Sequence, residues 1–458
     1  GRGGGGGVIN RVTKEAGFAP VRSVWLEGGS FDHRRGSIDV GQALTSRLAG
    51  RFNGMYENSG GFRDAASLER SGVNPTLAIA AGPNTTARVG YEYFRDHRTV
   101  DRGIPSFGGA PSPAALETFF GDPDVSYADA RVHSGSVTID HRTASGLTIH
   151  NRARYARYDK FYQNVFAGSA VNADRTQLNL SGYNNAQTRA NLFNQTEATY
   201  VAASGPVGHT LLLGVEVGRQ VTDNFRNTGY FNGQSTSLPV PFAAPTIATP
   251  VSFRQSTTDA DNHVAATVSA VYAQDQLRLS RHWQAIAGVR YERFDLRFHN
   301  NRDDADLRRD DHLVSPRLGL IFKPVEPVSA YASYSVSHLP SSGDQFASLT
   351  ATTRTLEPER FVNYEVGAKW DVSPDLSITA AVFRLDRTNS SARDPNDASK
   401  LVQTGEQRTA GYEIGVTGSV TPRWQLAGGW ASQRATIESA TTAARAGATV
   451  PLVPYATA

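Results

Sequence analysis

Side chains along this chain change character at every second residue. Ala87, Val89, Tyr91 and Tyr93 alternate with Arg88, Gly90 and Glu92, so an extended strand here has one apolar and one polar face. The same split sets Val362, Tyr364, Val366, Ala368 and Trp370 against Asn363, Glu365, Gly367 and Lys369. It also sets Tyr412, Ile414 and Val416 against Glu413, Gly415 and Thr417. Further copies run through 211–220, 283–292 and 328–337, while helical periodicity is nearly absent.

Turn chemistry punctuates these strands. Short connections are predicted at Gly82-Pro83-Asn84, Ala144-Ser145-Gly146, Gly205-Pro206-Val207-Gly208, Ser280-Arg281-His282, Pro324 to Pro327, Ser373-Pro374-Asp375 and Thr421-Pro422-Arg423. Between them lie longer polar segments at 95–130, 160–188, 223–262, 298–312, 338–356 and 387–402. A compact soluble domain rarely carries that many long loops.

A soluble sandwich would also alternate, so alternation alone does not choose the solvent. Three features point to lipid. The strand signals approach the ~9–11 residues of a membrane strand rather than the ~5–6 of a soluble one. Trp25, Tyr91, Tyr93, Trp283, Tyr291, Trp370, Trp424 and Trp430 fall near strand ends, where an interfacial girdle would sit. Short and long connections alternate. The expected fold is therefore all-β: a transmembrane antiparallel up-and-down β-barrel with about 17 strands present, an odd number where bacterial barrels normally close with an even one. Val450-Pro451-Leu452-Val453-Pro454-Tyr455 reads as no strand. The barrel, placed at 21–458, is thus expected to be incomplete, about five strands short of a 22-stranded plugged type.

Composition agrees with a barrel once strands rather than helices are considered. Only 39% of the residues are hydrophobic, and no run approaches the roughly 18 apolar residues of a membrane helix. A barrel strand shows lipid only every second side chain. Cysteine is absent, which removes disulfides, thiolate metal sites and cysteine nucleophiles. The single methionine is Met55, so translation is expected to start upstream of Gly1. The 46 basic and 43 acidic residues leave a formal charge of +3, too little to argue for nucleic acid. Lysine occurs only at Lys14, Lys160, Lys323, Lys369 and Lys400. Arginine therefore carries nearly all the positive charge, through genome composition or through the value of its planar fork for pairing with oxyanions.

The run from Gly1 through Gly7 to Lys14 is glycine-rich and leads into an expected strand. A phosphate-binding loop is the alternative, but no strand precedes it, no Gly-Lys-Ser/Thr occurs and no helix follows. The run resembles the end of the plug domain of TonB-dependent siderophore receptors, where a glycine-rich turn leads to the barrel. The resemblance continues in Asn53-Gly54-Met55-Tyr56-Glu57-Asn58-Ser59-Gly60-Gly61-Phe62-Arg63-Asp64, similar to the family's third barrel strand. Asp101-Arg102-Gly103-Ile104-Pro105 is similar to its extracellular segment after strand five. Two later stretches, Val314-Ser315-Pro316-Arg317-Leu318-Gly319-Leu320 and Leu356-Glu357-Pro358-Glu359-Arg360-Phe361-Val362-Asn363-Tyr364-Glu365-Val366-Gly367, resemble its barrel signatures.

The resemblance implies a division into the end of a plug at 1–14, a linker at 15–20 and the barrel. It also implies an outer-membrane receptor and active transporter of a Gram-negative bacterium that imports ferric siderophore complexes, the catecholate type being one candidate. The iron would arrive as a ferric siderophore chelate with no covalently bound cofactor. Expected partners are the ferric siderophore, TonB through an N-terminal region outside this sequence, and outer-membrane lipid and lipopolysaccharide, with the protein a monomer and no nucleic acid bound. The alternatives are a passive porin, another TonB-dependent nutrient receptor, or a secretion or adhesion barrel.

Such a transporter performs no covalent chemistry. Capture of an anionic chelate calls for arginine and aromatic groups outside the lipid. The candidates are Arg102 and Phe107 in the third loop, Tyr162 and Tyr183 in the fourth, Phe225, Tyr230 and Phe231 in the fifth, and His338 and Phe346 in the seventh. Each taken alone looks like an ordinary loop residue or girdle aromatic. Arg88, Glu92, Arg290, Glu292, Arg317, Glu365 and Glu413, on the polar faces, are expected to form paired or solvated walls, including contacts to a plug. The eleven histidines lack the spacing of a zinc helix, although His133 and His141 share a strand. No Gly-x-Ser-x-Gly elbow marks a hydrolase, so no enzyme is expected.

Overall fold

The computed structural model describes residues 11–342, 346–393, 401–440 and 444–458. Seventeen long strands follow one another: β1 (Val21–Gly28), β2 (Arg34–Ala43), β3 (Leu48–Gly60), β4 (Ser67–Ala80), β5 (Thr85–Thr99), β6 (Tyr127–Arg142), β7 (Thr148–Ala167), β8 (Gln177–Ser204) and β9 (Val207–Phe231). The second half continues with β10 (Asp261–Arg278), β11 (Trp283–Asn300), β12 (Ala305–Val325), β13 (Val328–Leu339), β14 (Glu359–Ser373), β15 (Leu376–Arg393), β16 (Leu401–Thr421) and β17 (Trp424–Ile437). Each pairs antiparallel with its neighbour in sequence, the meander of an up-and-down barrel. Among the described residues β1 and β17 are not hydrogen-bonded to each other, so the sheet stays open there. No described helix is long and apolar enough to cross a membrane.

Registers join the alternating positions of separate strands into one continuous apolar face. Val89 lies opposite Val137. Val215 faces Val271, which faces Tyr291, which faces Val314. Leu318, Tyr334 and Tyr364 form another row, as do Val366, Val382 and Tyr412. Most of these side chains are exposed, Val366 at 62%, as the lipid-facing side of a barrel requires. Trp25, Trp283, Trp370, Trp424 and Trp430 stand exposed around this face, as the sequence predicts for a girdle. Val362 departs from its predicted row, being buried near the start of β14.

The short connections fall where turn chemistry puts them, but the strands on the other side run further than expected. The predicted loop at 160–188 shrinks to 168–176, and that at 298–312 shrinks to 301–304. Within 223–262 the connection is 232–260, carrying short strands Leu238–Pro241 and Val251–Arg254 that pair with β8 and β9. Beyond the lipid belt polar and apolar side chains mix on both faces of a strand, so the alternation fades while backbone pairing continues. The loop expected at 387–402 lies partly outside the described residues.

Residues 1–10 of the glycine-rich run lie outside the described residues, and the strand expected to follow does not form over 11–14. Instead 11–16 runs along the polar face. Arg11 pairs with Glu92, and Lys14 Nζ donates to Asp39 at 2.8 Å. Arg88 reaches Glu15 at 3.3 Å, and Ala16 packs with Ala49 and Ala78. Arg51 completes the Asp39 site with two hydrogen bonds of 2.7 Å.

Candidate ligand-binding site

Beyond the lipid belt, β7, β8 and β9 continue as a three-stranded ledge. Their pairing places Asn185 between Tyr162 and Arg226, and Tyr183 between Asn164 and Thr228. With a period of two, Tyr162, Phe166, Tyr183, Arg226 and Tyr230 therefore share the polar face. The opposite face of the same ledge holds Val165, Leu178, Leu180 and Phe231, buried together with Phe120 and Val240. This small core lies under 100–126 and 238–253 and fixes the strands that present the aromatic groups.

Arg102 enters from the β5–β6 connection and unites the cluster. Its guanidinium carbon lies 3.7 Å from the centroid of the Phe166 ring, 5.2 Å from that of Tyr183 and 5.9 Å from that of Tyr162. Nε donates to the Tyr162 hydroxyl at 3.1 Å and Nη2 to the Tyr183 hydroxyl at 2.6 Å. The two tyrosine rings stack with centroids 5.2 Å apart, and Phe166 meets Tyr183 edge-on at 5.9 Å. Arg226 covers the same Tyr183 ring at 4.2 Å. Cations over aromatic faces each contribute about 0.5–2 kcal/mol, so the arrangement is pre-formed.

Arg226 is aimed from behind by Asp259, 3.2 Å from its Nε. Burial pushes the Asp259 carboxyl up, but the Ser256 amide at 2.8 Å, the Thr228 hydroxyl at 2.8 Å and Arg226 together hold it below the usual carboxylate range. In the β5–β6 connection, Asp122 is pushed above that range by burial, against the donated Asp124 amide. Gly121 lets this connection lie against β7. Its φ is +138°, and a Cβ there would stand 1.8 Å from the Val165 carbonyl oxygen.

The predicted residues thus divide. Arg102, Tyr162 and Tyr183 meet in one site, and the two tyrosines stand on strands instead of in a loop. Tyr230 belongs to the same ledge, its ring covered by Arg254 at 3.7 Å. Phe107 stands in a small hairpin, with Arg175 4.5 Å over its ring. Phe225 is on a strand, on the face of Val215 and Val217, and so points away from the cluster. Phe231 is buried in the core behind it. His338 is on β13, with Nδ1 3.4 Å from the Ser315 hydroxyl. Phe346 packs on Phe294 with centroids 5.1 Å apart, in a core with Val264, Leu296 and Leu349. Sequence reasoning missed Phe166 and Arg226. The signal was there: Phe166 is two strand periods from Tyr162.

The polar wall below is ion-paired. Arg290 reaches Glu292 at 2.6 Å and Glu216 at 3.2 Å, Arg88 reaches Asp140 at 2.6 Å, and Tyr331 donates to Glu365 at 2.6 Å.

Comparison with known proteins fits this picture. Residues 72–458 match the family model described as TonB dependent receptor-like, beta-barrel. The catecholate siderophore receptor Fiu of Escherichia coli K12 is 28% identical over 98% of this chain. The probable TonB-dependent siderophore receptor PiuA of Acinetobacter baumannii is 26% identical over 93% of it. The chain spans 64% of the length of Fiu and 61% of that of PiuA. The crystal structure of the closed form of Fiu superposes with a TM-score of 0.87 at 26% identity, covering all of this chain and 70% of that one. That of PiuA gives 0.86 at 21% identity, covering 97% and 69%.

Proposed function

Since the chain belongs to the TonB-dependent receptor β-barrel family, we propose that it forms barrel strands of an outer-membrane receptor that imports a ferric siderophore with energy delivered through TonB. The observation that carries the reading is the Arg102, Tyr162, Phe166, Tyr183 and Arg226 cluster beyond the lipid belt. A ferric siderophore of the catecholate type presents flat rings and anionic oxygens. The guanidinium groups would donate charge-assisted hydrogen bonds to those oxygens, and the tyrosine and phenylalanine faces would stack on the rings. The rings are half-buried while Arg102 and Arg226 stay exposed, so the cations remain open to an arriving anion. Such a site binds and releases without breaking bonds, in keeping with relatives that are receptors by name.

In this reading 1–14 is the end of a plug domain and 15–20 the linker to the barrel. Its support is the set of ionic contacts that hold 11–15 to the polar wall. The interior charges then provide a docking wall for the remainder of that plug.

The deciding experiment is growth of an iron-starved, siderophore-deficient strain expressing the full-length gene, with ferric catecholates, hydroxamates or citrate, with and without TonB. Rescue by catecholates that requires TonB supports the reading. TonB-independent passage of small solutes with no chelate rescue would replace it with a passive pore.

A further inference from the structure

Arg63 is a deeply buried cation outside the aromatic ledge. It lies in the 61–66 connection between β3 and β4 and is only 9% exposed. An ionised guanidinium is costly to bury unless its donors are paired. Here Nε donates to Asp101, and Nη1 donates to the carbonyl oxygens of Leu116 at 2.6 Å and Thr118 at 3.2 Å. Asp101 and Leu116 are 38 and 53 positions away, on two limbs of the β5–β6 connection. The neighbouring Asp64 amide adds a further grip, donating to the Glu117 carbonyl at 2.8 Å. The stretches 53–64 and 101–105 thus meet at one ion pair.

Arg102 stands directly beside that pair in the chain. The second oxygen of Asp101 accepts the Gly103 amide at 2.8 Å, closing a turn around Arg102. Gly103 has a φ of +79°, a left-handed conformation that glycine adopts at little cost. One carboxylate therefore links the residues before and after Arg102 and is itself fixed by Arg63. The other limb, 116–118, runs into the buried Phe119 and Phe120, the latter in the core behind the ledge. Arg63 thus staples both limbs and fixes the backbone from which Arg102 reaches Phe166, Tyr162 and Tyr183.

We propose that Arg63 is a positioning residue for capture of the ferric chelate: it aims Arg102 through Asp101 and touches no ligand itself. The two arginines divide the work by burial. Arg102 is exposed to an arriving anion, whereas Arg63 is buried against a carboxylate and two carbonyl oxygens. A planar fork spans those three acceptors, which a point-like ammonium would not. The ligand in this proposal rests on the import reading; the chain from Arg63 through Asp101 to Arg102 rests on the contacts alone.

The test uses the full-length receptor in mild detergent, titrated with the 3:1 complex of catechol and iron(III) and followed by quenching of intrinsic fluorescence. Amide hydrogen exchange over 100–104 is measured alongside. Arg63→Gln is expected to weaken binding about tenfold in the parent but by less than about twofold in an Arg102→Ala background, because it acts only through Arg102. Exchange over 100–104 should accelerate at least about tenfold in Arg63→Gln. Arg293→Gln, which removes an exposed ion pair on the outer wall, should change affinity by less than about twofold. Heat-modifiable migration on gels checks folding. If Arg63→Gln fails that check, Asp101→Asn, which keeps an acceptor for Gly103 but loses the charge facing Arg63, decides by the same readings. Parent-like affinity, unchanged exchange over 100–104, or a loss as large without Arg102 as with it would each overturn the proposal, the last by showing a general tie of the connection. A parent receptor that binds no ferric chelate of any class would sink the import reading instead, and exchange over 100–104 would then decide by itself whether Arg63 sets Arg102.

Discussion

Arg102 and Phe166, separated by 64 positions in the chain, bring a guanidinium carbon within 3.7 Å of a ring centroid. The contact joins a connection to a strand and makes the site a single unit. Because the same guanidinium bonds the Tyr162 and Tyr183 hydroxyls, it orders three aromatic groups at once. An entering chelate would find them already oriented, and ordering cost is saved at the moment of binding.

Arg102→Ala is therefore expected to weaken ferric chelate binding by one to two powers of ten, since charge-assisted hydrogen bonds contribute about 1.5–3 kcal/mol. Arg102→Lys should recover little, because an ammonium cannot serve two hydroxyls and a ring face in one plane. Equilibrium quenching of intrinsic fluorescence by the ferric chelate measures both. Full affinity in Arg102→Ala would remove the cluster from the binding site.

The strand meander was legible because lipid forces apolar side chains onto every second position, and Val215, Val271 and Tyr291 obey that rule across three strands. The aromatic ledge was less legible. Above the lipid, polar residues such as Gln163, Asn164, Asn184 and Asn185 interrupt the alternation around Tyr162 and Tyr183, so the sequence pattern there resembles a loop even though the backbone remains paired. Phe225 and Phe231 were misplaced for a simpler reason: their odd numbers put them on the face of Val217, away from Arg226. The role of Arg102 depends on contacts across 60 and 81 positions, which no local pattern encodes.

Val271→Arg places a cation in the apolar row between Val215 and Tyr291. It should cost roughly 2–4 kcal/mol in a bilayer near its midplane. Arg317→Ala, on the polar face, should stay within about 0.5 kcal/mol of the parent. Denaturant titration of the full-length protein refolded into vesicles, followed by tryptophan fluorescence, measures both. Equal stability of Val271→Arg would mean that this face does not meet lipid.

Asp39→Asn removes the carboxylate shared by Lys14 and Arg51. The loss should be about 2 kcal/mol, below the ~3–5 kcal/mol of a fully buried pair because Lys14 is largely exposed. Release of 11–16 should then expose the bond after Lys14, and trypsin should cut the full-length variant there faster than the parent. Unchanged cleavage would show that Arg11 and Glu15 suffice to hold the segment.

Gly121→Ala should disorder the β5–β6 connection, because the clash is with the Val165 backbone, which no rotamer change relieves. Chelate affinity should fall through displacement of Arg102, while the strand content read by circular dichroism stays constant. An alanine variant that binds normally would show that Gly121 does not set the position of Arg102.

Acid should loosen the ledge through Asp259. Its folded carboxyl titrates below its ordinary range, despite burial, because Ser256, Thr228 and Arg226 favour the charged form. A depressed folded value means that the contribution is complete above the unfolded pKa of about 3.9 and is lost as pH falls through the folded value. Asp122 has the opposite sign: burial raises its folded value, so it opposes folding at neutral pH and ceases to do so once protonated. Amide exchange at Ser256 and across 255–260 should therefore be flat from neutral pH down to about 5, after correction for intrinsic rates, and accelerate below about 4. Asp259→Asn should show the accelerated rate at every pH and weaken chelate binding by freeing Arg226, whereas Asp122→Asn should leave protection equal or greater at neutral pH. If Asp259→Asn keeps full protection at neutral pH, the carboxylate is not what anchors Arg226, and the ledge owes its order to the buried core behind it.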